Sequence, residues 1–241
     1  MSLTAEKEQT ALVTLVHALR QSKFTVVLTG AGISTASGIA DLAHMPGIAG
    51  TMLSSEQALV AAPNAYYRQL QKTFLHGMFD VGPTIAHREV SRLEQQGLVQ
   101  AVVTTNVDYL HELAGSRQVA DIWNSFNVNT CLKCGRVYPI SVWRAGQAPH
   151  CPECGGLLSP APAHNHVGRD LVAVRRANQW MDQADLVIVT GSNGYYDDIN
   201  AHAQVIQINP QSTVFDHRAN LNIRTTADEI FGKVGKMIDN N

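Results

Sequence analysis

Four cysteines carry the first chemistry legible in this chain. They stand as Cys131-x2-Cys134 and Cys151-x2-Cys154, with sixteen residues between the pairs, and no other cysteine exists. Two such pairs predict two tight knuckles closing on one tetrahedral zinc ion. Every ligand is then a protein thiolate. The ion keeps no open position for water or substrate and is structural, so the reaction must be sought elsewhere. Paired cysteines behind the polar opening Met1–Glu8, which is no signal peptide, also predict a reducing, cytoplasmic setting.

Two further sets of residues could act on a ligand. Gly30-Ala31-Gly32 follows the apolar run Phe24–Thr29, and Ile33-Ser34 is placed to open a helix. Glycines there let the backbone approach a pyrophosphate, which the free N–H groups bind. The strict G-x-G-x-x-G pattern fails at Thr35, and no acidic residue stands out about twenty positions on to hold a ribose. Taken alone, the turn fits a plain strand–helix connection equally well. Asn106 and Asp108 follow a second apolar run, Ala101–Thr105. An amide and a carboxylate at a strand end can bind ribose or amide groups and favour a developing cation. They can also simply close an Asx turn.

These residues need a scaffold. The chain has 241 residues, 45% hydrophobic and 16% charged, which suits one or two globular domains with a sizeable core. Its formal charge of -2 with no basic block disfavours nucleic acid, and no apolar run is long enough for a bilayer. Residues 5–21 read as an amphipathic helix and residues 42–82 as an irregular helical insert. Helices are also predicted from near Pro83 to Gln96, over 171–183 and over 226–240. Apolar strands are predicted at Phe24–Thr29, Ala101–Thr105, Val119–Ile122, Asp185–Thr190 and Gln204–Ile208. The alternation predicts an α/β fold with an open, Rossmann-like, mostly parallel sheet. Four strands end at Gly30, Asn106, Gly191 and Asn209, the side on which such sheets bind ligands. The expected division is a discontinuous Rossmann-like domain, 1–125 and 165–241, with a zinc module and linker at 126–164.

In combination the motifs are specific. Gly30-Ala31-Gly32-Ile33-Ser34, followed by Ser37-Gly38-Ile39-Ala40-Asp41, resembles the NAD-binding opening of the sirtuin family. Thr105-Asn106-Val107-Asp108-Tyr109-Leu110-His111 resembles its Gln-Asn-Ile-Asp stretch, and the cysteine pairs fall in the family's place and order. Gly191-Ser192-Asn193 is similar to its Gly-Thr-Ser, and Ile208-Asn209 to the strand end that meets the adenosine ribose. The resemblance implies NAD as co-substrate, structural zinc, and a cleft between a Rossmann-type and a zinc domain. It implies cofactor binding by Gly30, Ala31, Gly32, Ile33, Ser34, Ser37, Gly38, Asp41, Thr105, Asn106, Val107, Asp108, Gly191, Ser192, Asn193, Asn209, Pro210 and Ala227. Asn106 and Asp108 are the implied catalytic pair for expelling nicotinamide.

Three departures bear on the chemistry. Trp123 stands where the family has its general-base histidine, and Asn124 replaces the glycine after it. An indole N–H donates but accepts no proton near neutral pH. The family's substrate-clamping Phe-Gly-Glu stretch is absent from Pro162–Val167, and Leu42-Ala43 replaces a usual Phe-Arg. His87 and His111 match family histidines and read as structural. His164 and His166 fall in the divergent loop, and His150 adjoins Cys151 without being needed as a ligand. The expectation is a protein mono-ADP-ribosyltransferase, similar to the macrodomain-linked microbial sirtuins, whose acceptors include lipoyl-carrier proteins. The alternatives are a lysine deacylase using another base, or a module that only binds NAD or ADP-ribose.

Overall fold

The computed structural model describes residues 3–40, 45, 49–145, 147–163 and 169–239. The expectations that fall on Asp41, Leu42, Ala43, His164 and His166 lie outside the described residues.

Helix α1 (Leu3–Gln21) leads into strand β1 (Thr25–Thr29), whose five residues are all buried. A helical stretch follows: α2 (Ala49–Leu53), α3 (Glu56–Ala61), α4 (Pro63–Leu70) and a wide-wound π-helix, Gln71–Val81. Helix α5 (Ile85–Gln95) starts two residues past Pro83. Thr84 caps it, accepting a bond from His87 N at 3.3 Å while His87 Nδ1 accepts from Thr84 N at 3.3 Å. The histidine thus fills the place that Glu or Gln usually takes in a capping box. Strand β2 (Ala101–Thr104), the short α6 (Leu110–Leu113) and β3 (Val119–Asp121) complete the first half of the large sheet.

The chain then leaves the sheet to build β4 (Asn129–Cys131), β5 (Val137–Tyr138) and β6 (Leu158–Pro160). It returns through α7 (Leu171–Gln183), capped by the Asp170 carboxylate, to β7 (Leu186–Thr190), β8 (Gln204–Ile208), β9 (Leu221–Ile223) and α8 (Ala227–Asp239). Strand β9 is absent from the expected elements: Leu-Asn-Ile is too short to show a period, and its pairing with β8 defines it.

The large sheet is wholly parallel, in the order β3-β2-β1-β7-β8-β9. Successive side chains divide between its faces. Val27, Val102, Ile188 and Ile206 pack with α1, α5 and α8. Val26, Leu28, Val103, Val187 and Val189 pack with α7 through Ala173, Ala177 and Met181. Both faces are covered, so the strands are apolar without alternation. Each large side chain so buried contributes about 1.5–3 kcal/mol. The chain order reverses direction between β1 and β7, which makes their carboxyl ends the topological switch point.

The small antiparallel sheet, order β5-β4-β6, carries the cysteines. A third apolar cluster joins it to the helical stretch: Tyr66, Phe74, Phe126, Trp143, Val107 and Leu110 are all buried there. Tyr67 and Trp143 stack with centroids 5.8 Å apart, and the Tyr67 hydroxyl donates to Trp143 O at 2.9 Å.

Candidate functional site

A cleft of about 510 Å³ opens at the switch point. Its sequence-predicted lining residues are Gly30, Ala31, Gly32, Thr105, Asn106, Val107, Asp108, Trp123, Gly191, Ser192 and Asn193. Thr35, Ile39, Ala40, Ser54, Phe74, Ala161, Pro162 and Tyr195 join them. Ile39 and Ala40 belong to the first motif and Tyr195 to a loop next to a strand end, so a weak sequence signal existed for these. Phe74 and Ser54 come from the helical stretch, where nothing in the sequence marks them.

The glycines answer first to each other. Gly32 N donates to Gly191 O at 2.9 Å, and a Cβ on Gly32 would lie 2.6 Å from Gly191 Cα. Gly191 has φ +61, a left-handed conformation that favours glycine. The β1 and β7 loops cross backbone on backbone, and this contact shapes one wall of the cleft. The expectation that Ile33-Ser34 opens a helix is corrected. Two single 3₁₀ turns, Ala31–Ile33 and Thr35–Ser37, end at Gly38 with φ 76. Ser34, which joins the two turns, makes no side-chain cap bond and reaches Asp108 instead.

That side chain organises the floor. Ser34 Oγ donates to Asp108 Oδ2 at 2.6 Å, and Leu110 N donates to Asp108 Oδ1 at 3.0 Å. Asn106 Nδ2 lies 3.2 Å from both Gly30 O and Ser34 Oγ. With both amide protons directed there, the Asn106 carbonyl oxygen is the group left for the cleft. Asp108 is 2% exposed; burial raises its pKa, and the Ser34 and Leu110 bonds oppose that rise. Beneath lies a second polar layer. Asn106 N donates to Thr104 Oγ1 at 3.1 Å, and Thr29 Oγ1 donates to Thr104 Oγ1 at 2.8 Å. Thr29's proton is thereby committed, so His111 Nε2, 2.9 Å away, is the donor of its pair. Burial pushes His111 down to about 3 and His87 well below its ordinary value; their rings meet edge to face at 4.6 Å. Both histidines are neutral props of the floor, as the sequence suggested.

The remaining predicted residues separate. Ile33 is 1% exposed in the core, and Ser37 Oγ donates to Gly82 O at 2.6 Å. Ala227 packs in the core under α8. None of these three lines the cleft, and neither do Gly38, Asn209 or Pro210. Asn209 Nδ2 reaches Ser192 O at 3.5 Å and Ser192 Oγ is buried without a partner, so that strand end retains hydrogen-bonding capacity.

Trp123 forms part of the opposite wall. Its ring touches both the α7-side cluster and the small-module cluster, and the Arg169 guanidinium lies 5.4 Å from the ring centroid. No histidine lines the cleft among the described residues.

The cysteines fit zinc. Their sulfurs all lie within 4.8 Å of one another, with Cys131–Cys154 at 3.5 Å and Cys134–Cys151 at 3.7 Å. A tetrahedron with zinc–sulfur bonds of about 2.3 Å has sulfur–sulfur edges of about 3.8 Å. Lys133 N and Cys134 N point at Cys131 Sγ, at 3.4 and 3.5 Å, as knuckle amides do. The Tyr138 hydroxyl, 3.0 Å from Cys151 Sγ, pulls that thiol down to about 6. His150 Nδ1 donates to Ala148 O and stays outside the cluster.

Residues 30–195 match the sequence profile of the Sir2 family. NAD-dependent protein deacetylase 2 of Caldanaerobacter subterraneus subsp. tengcongensis is 30% identical over 243 residues, spanning 91% of this chain and 93% of that protein. NAD-dependent protein deacylase 1 of Archaeoglobus fulgidus is 28% identical, spanning 91% and 95%. Among solved structures, a sirtuin described for the structural basis of substrate affinity superposes with a TM-score of 0.81 at 27% identity, covering 93% of this chain and 98% of that one. A Sir2–p53 peptide–NAD+ complex superposes with a TM-score of 0.78 at 27% identity, covering 95% and 98%. The names of these relatives speak for protein deacylation more than for ADP-ribosyl transfer. The profile match and the shared fold agree with the cysteine cluster and the switch-point cleft: this chain belongs to the Sir2 family, the sirtuins, which are NAD-dependent enzymes.

Proposed function

We propose that this sirtuin releases nicotinamide from NAD and transfers ADP-ribose to a side chain of a protein, as a mono-ADP-ribosyltransferase. The observation that carries this reading is Trp123 on the cleft wall, with no imidazole lining the cleft among the described residues. Cleavage of the glycosidic bond builds positive charge on the ribose as neutral nicotinamide leaves. Asp108, held by Ser34 and Leu110 N, supplies a fixed negative charge for that cation. Asn106 offers its carbonyl oxygen to a ribose hydroxyl or a water. Deacylation makes a further demand: a base must take a ribose hydroxyl proton so that the acyl group can move on. Trp123 cannot supply one.

Lysine deacylation is the second reading, and the names of the relatives favour it. One assay separates the two. The protein is incubated with NAD labelled on the adenylate, cell extract and an acetyl-lysine peptide. Label on a protein band supports transfer. Deacetylated peptide without a labelled band supports deacylation and overturns the role given to Trp123. Tight NAD binding without nicotinamide release leaves a binding module. A purified lipoyl-carrier protein, the acceptor implied by resemblance, is the first single acceptor to add.

A further inference from the structure

The residue directly after Trp123 has an uncommon backbone. Asn124 lies outside the cleft lining and has φ 64. Among the described residues only one other non-glycine residue, Tyr109, has a positive φ, and it directly follows the floor residue Asp108. Side chains in that left-handed region cost free energy and persist where their surroundings dictate them. At Asn124 the surroundings are the chain returning from the small sheet. Asn124 Nδ2 donates to Asp170 Oδ2 at 3.1 Å. Asp170 N donates to Ile122 O at 2.8 Å, and the Arg169 guanidinium lies 5.4 Å from the Trp123 ring centroid. Two consecutive residues thus grip three consecutive residues, Ile122, Trp123 and Asn124. The grip is anchored on α7, because Asp170 Oδ1 accepts from Val172 N at 2.8 Å and from Ala173 N at 3.0 Å.

The clasp holds a seal in place. The Trp123 ring packs against both the α7-side cluster and the small-module cluster, and among the described residues no other belongs to both. The indole therefore covers the seam between them where it meets the cleft. We propose that Asn124 and Asp170 are positioning residues, whose bond holds the Trp123 indole across this seam and so keeps water from the ribose while the acceptor takes it. This rests on the transfer reading and deepens it. Water is the competing nucleophile. Its oxygen would bond to the anomeric carbon of the nicotinamide ribose as the carbon–nitrogen bond breaks. The electron pair of that bond passes to the pyridinium nitrogen, which leaves as neutral nicotinamide, and the proton shed by the water goes to solvent. The other product is free ADP-ribose. A loosened wall leaves the floor intact, so nicotinamide still departs and only the destination of the ADP-ribosyl group changes.

The test counts nicotinamide, free ADP-ribose and labelled protein after the whole protein is incubated with adenylate-labelled NAD, cell extract and an acetyl-lysine peptide. Asn124→Gly keeps the left-handed backbone at no steric cost and removes the donor. Nicotinamide release should stay near the wild-type rate. Labelled protein per nicotinamide should fall about tenfold, the weight of a hydrogen bond to a charged acceptor, with free ADP-ribose making up the difference. Asn124→Asp sets one carboxylate against another and should lose as much. Joined to Asp170→Asn it reverses donor and acceptor, and asparagine caps a helix as well as aspartate does, so most of the yield should return. An unchanged yield in Asn124→Gly, or no recovery in the paired variant, overturns the clasp. A parallel fall in nicotinamide release and labelling also overturns it, since that marks a role in folding alone. A wild type that deacetylates the peptide and labels no protein overturns only the transfer reading, and the clasp is then scored on deacetylated peptide per nicotinamide. A wild type that forms free ADP-ribose alone, or releases no nicotinamide, overturns both.

Discussion

The floor and the far wall of the cleft are built on different terms. The floor is cut from strand ends. Asn106 and Asp108 are almost wholly buried, each of their bonds is made within the protein, and a second polar layer of Thr29, Thr104 and His111 supports them. The wall is a loop after the short edge strand β3, in which the Trp123 ring itself is held by apolar contacts and one exposed arginine. A buried hydrogen-bonded network tolerates little change, because a lost partner leaves an unsatisfied polar group. A wall held by packing can change its side chain and keep the fold. On the function proposed above, nicotinamide release belongs to the floor and the choice of acceptor to the wall.

The comparison breaks first at Asn106. Asn106→Ala should lower nicotinamide release by about 10²–10³-fold, the loss expected on removal of one preorganised polar group from a reacting centre. Zinc content, read by metal analysis, should remain stoichiometric. Release at the wild-type rate would show that the floor is not where the bond is broken.

Zinc removal comes next. A strong chelator, or Cys151→Ser, should loosen the small sheet and with it the stacked Tyr67–Trp143 pair, whose tryptophan is buried. Tryptophan emission should shift to the red while the far-ultraviolet signal of the helices on the large sheet stays. An unshifted spectrum in metal-free protein would mean that the cysteines hold the module without the ion.

Gly32→Ala tests the crossing of the β1 and β7 loops. Its Cβ would meet Gly191 Cα at 2.6 Å, backbone on backbone, so neither side can yield cheaply. We expect a stability loss of about 1–3 kcal/mol in denaturant titration. A neutral result would indicate that the loops are looser than they look.

The smallest effect concerns pH. Burial lowers the pKa of His111 to about 3 from 6.5, so the unfolded chain binds the extra proton first as pH falls. His87 shifts in the same direction. Stability contributed by the neutral rings is complete above the unfolded value and declines as pH drops from 6.5 toward 3. Melting temperatures between pH 7 and 5 should fall in the wild type and fall less in His111→Gln. Parallel slopes would place the acid sensitivity elsewhere.

Much of the floor was legible in the residues. The runs Thr25–Thr29, Ala101–Thr104 and Leu186–Thr190 are apolar throughout because both faces of the sheet are covered, and each leads directly into residues that line the cleft. The cysteine spacing required one metal cluster. Phe74 was not legible, since an aromatic in an amphipathic helix reads as core, and only the packing of the helical stretch against the small module turns it to the cleft. Arg169 was equally silent, a charged residue beside a loop.

The sequence by itself determined which groups are available: two pairs of thiols, glycines at strand ends, an asparagine and an aspartate two residues apart, and an indole at position 123. These are facts of type and local spacing, and short-range chemistry settles them. Tertiary structure decided which groups meet. Ser34 reaches Asp108, Gly32 meets Gly191, and Arg169 lies over Trp123 across separations that no local period encodes. The reason is the parallel sheet itself: its crossovers bring carboxyl ends together in spatial order, not chain order, and the chemistry is assembled where that order reverses.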